Sequence, residues 1–343
     1  MTDEPPSRPT ESNKEAAVDE FSMIGRFFTQ RCSFPEAWPS QGVGDDCAFL
    51  DVGATRIAVS ADMMAQSTHF LDTADPYTVG RKALAVNLSD LAAAGSKPRA
   101  FFLSIALPKA DEAWLERFSR GLFEESERYG CPLRGGDTTK SPVIEGKSKY
   151  TISITVMGEL PAGRGLTRSG AAAGDDVWVS GTPGDAFAAL SVHWGNLTCS
   201  SEDFTYFASR MDTPTPRVEL GEALLNLASA AADISDGLAG DLGHILERSN
   251  VSAELDWAAM PRSEAMLRLT EEWQKRCVLS GGDDYELIFT ASPDVRAQIE
   301  ALDGKFGCRV TRIGRIVSGN HPLQVLDADG AAVELGSSFN HFA

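Results

Sequence analysis

The segment Tyr150–Val156, Y-T-I-S-I-T-V, alternates apolar and hydroxyl-bearing residues without a break. A period of two puts Ile152, Ile154 and Val156 on one face of an extended chain, so this segment demands a sheet with one side buried. Arg56–Ser60 (R-I-A-V-S) and Ala100–Leu107 (A-F-F-L-S-I-A-L) are further strand candidates. Pro76–Ala94, lying between them, reads as a helix: Asp75 can cap it, Pro76 suits its first turn and Gly95 can end it. Ala83, Val86 and Leu91 are spaced to face a core, and Asp90 falls near the C-terminal end. The helix dipole disfavours a carboxylate at that end, so Asp90 calls for a cation. Asp111–Tyr129 is a second helix, with Leu115, Phe118 and Leu122 at helical spacing and Gly130 behind it. Strands that alternate with helices up to about residue 160 predict an α/β fold of the α+β type.

The glycine-rich run Pro161–Gly174 marks a domain boundary, and 343 residues are enough for a core on each side of it. Residues 1–20 are polar and proline-bearing and read as a disordered tail; residues 21–165 form an N-terminal domain and 166–343 a C-terminal one. In the second domain, strands are expected at Asp176–Ser180 and Tyr285–Thr290, and helices at about Asp236 to Ser249 and at Pro293–Leu302.

A net charge of −18 argues against a general nucleic-acid-binding surface, because phosphate backbones select basic patches. An acidic chain can still take phosphorylated ligands if metal cations sit between the two sets of charge. The six cysteines are scattered without a C-x-x-C pair and read as mostly buried free thiols, and the five histidines form no metal-binding pattern. No leader-like or membrane-spanning apolar run is present, so the cytoplasm is the expected compartment and no membrane partner is expected.

Carboxylates on glycine-hinged turns recur four times: G-D-D at Gly44–Asp46, G-G-D-T-T at Gly135–Thr139, D-I-S-D-G at Asp233–Gly237 and S-G-G-D-D-Y-E-L at Ser280–Leu287. One Gly-Asp pair is ordinary turn chemistry. Four point to a hard, oxygen-ligated metal such as Mg²⁺. The chain has neither a Walker A loop nor G-x-G-x-x-G, so any phosphate must be held by aspartate-bound metal, glycine-turn amides and a few arginines.

These turns do not stand alone. G-D-D-C-A-F-L (Gly44–Leu50), S-A-D-M-M-A-Q-S-T-H-F (Ser60–Phe70), K-A-L-A-V-N-L-S-D-L-A-A-A-G (Lys82–Gly95), G-G-D-T-T, R-G-L-T-R-S-G (Arg164–Gly170), G-T-P-G-D (Gly181–Asp185), D-I-S-D-G-L and S-G-G-D-D-Y-E-L follow one another in order. In that order the chain resembles the thiamine-monophosphate kinase family, within the superfamily typified by aminoimidazole-ribonucleotide synthetase. The resemblance runs from about Phe21 to the terminal S-F-N-H-F-A. It implies a two-domain fold whose N-terminal sheet-and-helix domain pairs in a homodimer. It also implies Mg²⁺-assisted transfer of the γ-phosphoryl group of ATP to thiamine monophosphate. By motif position, Asp46, Ser60, Ala61, Asp62, Asp90, Asp137, Asp233 and Asp236 are the implied metal ligands, the catalytic ones being Asp46, Asp62, Asp90, Asp137 and Asp233. Gly136, Asp137, Arg168 and Ser235 are the implied ATP contacts, and His69, Asp283 and Phe339 the implied substrate contacts. The alternatives that the resemblance leaves are a related ATP-dependent synthetase with another acceptor and a catalytically silent nucleotide-binding homologue.

Two positions depart from the family pattern. Ala61 stands where Thr is frequent, and Asp283 where Glu is common. Asp reaches one methylene less, so a direct contact to a substrate amine becomes longer or water-mediated.

Overall fold

A computed structural model describes residues 23–24, 44–319 and 323–336. Met23 and Ile24 are helical and belong to a separate small unit; everything below lies within the unit Glu36–Phe339. The expected tail at residues 1–20 and Phe339 lie outside the described residues.

The alternation at Tyr150–Val156 becomes β5, Thr151–Pro161, whose residues alternate strictly between buried and half-buried up to Leu160. It is the central strand of a five-stranded sheet ordered β1-β2-β5-β3-β4, where β1 is Ala48–Val52, β2 Thr55–Ala65, β3 Lys97–Leu107 and β4 Leu133–Lys140. All neighbours are antiparallel except the parallel pair β3/β4. Helix α1 (Pro76–Ala93) starts under the Asp75 cap, whose carboxylate accepts from the Tyr77 N–H. Helix α2 (Glu112–Arg128) is capped in the same way by Asp111.

From Lys82 to Ala93 every residue of α1 is buried. A helix buried all round is a core helix. This one packs against β2 and β5 on one side and against the second domain on the other. Glycines permit its closest contacts. A Cβ on Gly80 would lie 2.1 Å from the Phe118 carbonyl oxygen, and one on Gly121 2.0 Å from that of Tyr77.

The second sheet has six strands in the order β11-β8-β10-β6-β9-β7. They are β6 (Asp176–Ser180), β7 (Ala230–Asp233), β8 (Ser252–Asp256), β9 (Leu287–Ala291), β10 (Val310–Val317) and β11 (Gln324–Leu326), with only β11/β8 parallel. Helices α3 (Asp185–His193), α4 (Ser201–Asp212), α5 (Val218–Leu224) and α6 (Leu238–Ser249) accompany it. Two mixed sheets with helices make the architecture α+β, as expected. Two elements of the second domain differ in kind from the sequence reading. The expected strand at Tyr285 begins only at Leu287, because Asp283 (φ 72°) and Tyr285 (φ 54°) are left-handed and cannot join a ladder. The expected helix Pro293–Leu302 is a 3₁₀ turn, Pro293–Val295, followed by the short α-helix Arg296–Glu300.

Candidate active site

The carboxylates of Asp46, Asp90 and Asp233 converge, each offering an oxygen within 4.8 Å of the others. They come from three separate segments: the turn before β1, the last turn of α1 and the end of β7. Ser60 on β2 donates its hydroxyl to Asp90 Oδ2 at 2.5 Å, and Ser89 on α1 donates to Asp233 Oδ2 at 2.6 Å. Burial pushes Asp90 well above the usual carboxylate range, and the nearby charges of Asp62, Asp233 and Asp46 push it further. Asp233 is pushed up to about 8, again chiefly by burial, then by Asp46. Asp46 is also raised by burial, with Arg168 partly offsetting the effect. Such a site binds protons or a cation, because its charges cannot all persist together.

Asp62 belongs beside this cluster. Its carboxylate adds to the negative field at both Asp90 and Asp233, and its backbone N–H donates to Asn87 Oδ1 at 3.0 Å. Ser60 and Asp62 share one face of β2, and the alternation turns Ala61 to the opposite, exposed face. Only the Ala61 backbone carbonyl is therefore available to a metal, and the missing hydroxyl costs the cluster nothing.

Arg168 closes the site from the interdomain segment. Its Nη2 donates to Asp46 Oδ1 at 2.6 Å, and its own N–H donates to Asp45 Oδ1 at 2.7 Å. Its buried Nε has no hydrogen-bond partner among the described residues.

Beyond Asp233, residues Ser235–Gly237 form a turn held by Asp241. One carboxylate oxygen of Asp241 accepts from the backbone N–H groups of Ser235, Asp236 and Gly237, each at 3.1 Å. Asp241 is itself buried, and burial raises its pKa well above the usual range. This turn carries the predicted residues Ser235 and Asp236 next to the cluster.

Other predicted residues are placed elsewhere. Gly136 and Asp137 lie on β4, an edge strand exposed from Arg134 to Lys140. Asp137 aligns across the sheet with Ser104, Ser153 and Met63, while Asp62 aligns with the buried Ile154. The alternation therefore puts Asp137 on the open face and Asp62 on the helix-covered face. His69 Nδ1 accepts from the Ala65 N–H at 3.0 Å, which closes the turn after β2 and places the proton of the neutral ring on Nε2. Asp283 pairs with Lys82, at 2.5 Å, across the two domains.

Lys82, Ser89, Asn87 and Asp241 were not singled out from the sequence. A signal did exist for the first three: with Asp90, they are the polar residues of the otherwise apolar run Lys82–Ala93. Glu286 was also missed. It is fully buried, accepts from Arg210, Arg217 and the Ser180 hydroxyl, and anchors the last acidic turn.

Residues 44–160 match the family described as AIR synthase related protein, N-terminal domain, and residues 172–324 match its C-terminal domain. The thiamine-monophosphate kinase of Salmonella typhimurium is 42% identical over 331 residues, covering 95% of this chain and 99% of that protein. The chain belongs to the thiamine-monophosphate kinase family. Within this family, the crystal structure of the enzyme from Stenotrophomonas maltophilia has a TM-score of 0.75 at 40% identity, covering 93% of this chain and 99% of that one. A second structure, AaThiL complexed with AMPPCP and TMP, has a TM-score of 0.79 at 31% identity, covering 95% and 97%.

Proposed function

We propose that this chain transfers the γ-phosphoryl group of ATP directly to thiamine monophosphate, giving thiamine diphosphate and ADP. The observation that carries this reading is the convergence of Asp46, Asp90 and Asp233 in a chain of this family. The relative solved with AMPPCP and TMP supports the same pair of substrates.

The donor set fits Mg²⁺: carboxylate oxygens from three separate segments, with the Ser60 hydroxyl beside them and no histidine or cysteine among the clustered ligands. Asp46, Asp62, Asp90 and Asp233 would hold it, with Ser60, the Ala61 carbonyl and Asp236 as further oxygens. Bound there, Mg²⁺ supplies the positive charge that lets two anionic phosphates approach. Ser60 and Ser89 orient the carboxylates toward the shared centre. Asp46 holds Arg168 so that its buried Nε–H remains a donor for a phosphate oxygen of ATP. Asp241 shapes the turn that brings Ser235 to the nucleotide. The acceptor is already a phosphate oxygen, so no side chain has to remove a proton from it. Asp283, and His69 through its Nε2–H, are assigned to thiamine monophosphate, as is Phe339.

Pairing as a homodimer is part of the proposal. On the open face of the first sheet Met63 is 59% exposed and Phe102 38%, and β4 is an edge strand with no further partner among the described residues. A second copy on that face would cover both, and would bring Gly136 and Asp137 to the boundary between the copies. The domain division at residues 165/166 and a cytoplasmic location complete the reading; the five described cysteines are free, which suits a reducing compartment.

Steady-state assays of purified wild type and Asp90→Asn test it. Wild type should make thiamine diphosphate and ADP in proportion, only with Mg²⁺, and the variant should lose at least a hundredfold in kcat. Turnover only with a different acceptor, or an unaffected variant, would overturn the proposal.

A further inference from the structure

The turn Asp283–Glu286 divides its side chains between two tasks. Asp284 Oδ2 accepts from the Gly184 N–H at 2.7 Å, and Glu286 is gripped by Arg210 and Arg217. These two residues anchor the turn in the second domain. Asp283 and Tyr285 alternate with them and turn toward α1 of the first. Their left-handed backbone costs on the order of 1–3 kcal/mol for each residue and persists only where the surroundings enforce it. Enforcement is visible: the Asp283 N–H donates to the Ser235 carbonyl and the Tyr285 N–H to that of Ile234, each at 2.8 Å.

What this strained turn achieves is the placement of one carboxylate. Asp283 Oδ2 meets Lys82 Nζ at 2.5 Å. Lys82 is only 4% exposed, so its charge requires the anion. Asp283 retains 31% exposure of its side chain, which leaves part of the carboxylate facing outward. Lys82 and Ser89 are two turns apart on α1, about 10 Å along the same face of the helix. Ser89 holds Asp233 at one end of that stripe, and Lys82 holds Asp283 at the other.

We propose that Lys82 is a specificity-determining positioning residue. It fixes Asp283 so that the outward edge of the carboxylate accepts a hydrogen bond from the amine-bearing ring of the substrate, while the phosphate end lies at the aspartate cluster. Lys82 acts through Asp283 and needs no contact with the substrate. An ionised carboxylate only accepts hydrogen bonds. A site of this kind therefore takes an aminopyrimidine and rejects the same ring bearing an oxo group in place of the amine. The proposal rests on thiamine monophosphate being the acceptor.

The test measures KM and kcat for both substrates in wild type, Lys82→Met, Asp283→Asn and the double variant, with thermal melting and binding of an ATP analogue as folding controls. Lys82→Met should raise KM for thiamine monophosphate at least tenfold, leave KM for ATP within about twofold, and narrow the preference for amino over oxo analogue. The double variant should be no worse than Asp283→Asn alone, because the two residues act as one unit. A KM for thiamine monophosphate within twofold of wild type, an equal rise for ATP, or additive losses would overturn the proposal. If Lys82→Met does not fold, Lys82→Arg keeps the charge but changes its shape and must show the same substrate-selective shift; an unchanged KM there also overturns it. Wild type that makes no thiamine diphosphate would instead refute the functional reading.

Discussion

Removing protons from the aspartate cluster should be coupled to binding Mg²⁺ and to the stability of the metal-free protein. Asp233 has an ordinary pKa of 3.8 and is pushed up to about 8 in the fold, and Asp90 is raised well above the carboxylate range too. Between those two values the folded chain binds more protons than the unfolded chain. The cluster's contribution to stability is therefore fully present below 3.8 and is lost as pH rises toward 8. For Asp233 alone, the loss from pH 6 to pH 8 is about 2 kcal/mol, at ~1.4 kcal/mol per unit until the group begins to ionise. Mg²⁺ needs the ionised forms, so its binding at pH 7 should expel about one proton or more, and its affinity should rise roughly tenfold per unit below pH 8. Urea melts of the metal-free protein at pH 6 and pH 8, with and without saturating Mg²⁺, measure the first effect. Calorimetric Mg²⁺ titrations in buffers of different ionisation enthalpy measure the second. Equal stability at both pH values together with Mg²⁺ binding that releases no protons would refute the reasoning.

Three further outcomes follow from single contacts. Glu286→Gln leaves Arg210 and Arg217 facing a neutral group and should cost about 3–5 kcal/mol in a urea melt. In wild type burial pushes Glu286 up, but the two arginines outweigh it and hold its pKa below 4.5, so its stabilisation is present above 4.5 and is lost as pH falls through the lowered value. Gly121→Ala would place a methyl group 2.0 Å from the Tyr77 carbonyl oxygen, forcing α1 and α2 apart, and should lower stability by about 1–3 kcal/mol on thermal or urea unfolding. Ala61→Thr should leave the Mg²⁺ dependence of kcat within about twofold, because that side chain points away from the cluster; a tenfold gain in Mg²⁺ affinity would contradict the placement.

Local rules made much of the first domain legible. Asp75, Pro76 and Gly95 bracket α1 within a residue of its observed limits, since caps and chain breakers act through neighbouring backbone groups. The period of two in β5 was equally clear, because one of its faces is covered by helix. Of the glycine-hinged aspartates, Asp46 and Asp233 meet at one centre, together with Asp90 from the end of α1. Long-range pairing was not legible. Nothing near Asp283 in the chain announces Lys82, 201 residues away. Nor does Asp241 advertise that its partners are three backbone N–H groups just upstream. The strand expected from Tyr285 starts two residues later, because anchoring by Asp284 and Glu286 holds Tyr285 in a left-handed conformation. The S-G-G-D-D-Y-E-L turn therefore differs from the turns of Asp46 and Asp233: its Asp283 pairs with Lys82 of α1, while Asp46 and Asp233 supply the shared cluster.

The most direct test of direct phosphoryl transfer at the aspartate cluster is a single-turnover rapid quench with ATP labelled in the γ-phosphate. The account predicts that the label passes to the terminal phosphate of thiamine diphosphate, with none trapped on the protein and no reaction after Mg²⁺ is chelated. Label recovered on the protein, or released only as inorganic phosphate while thiamine monophosphate is unchanged, would contradict it.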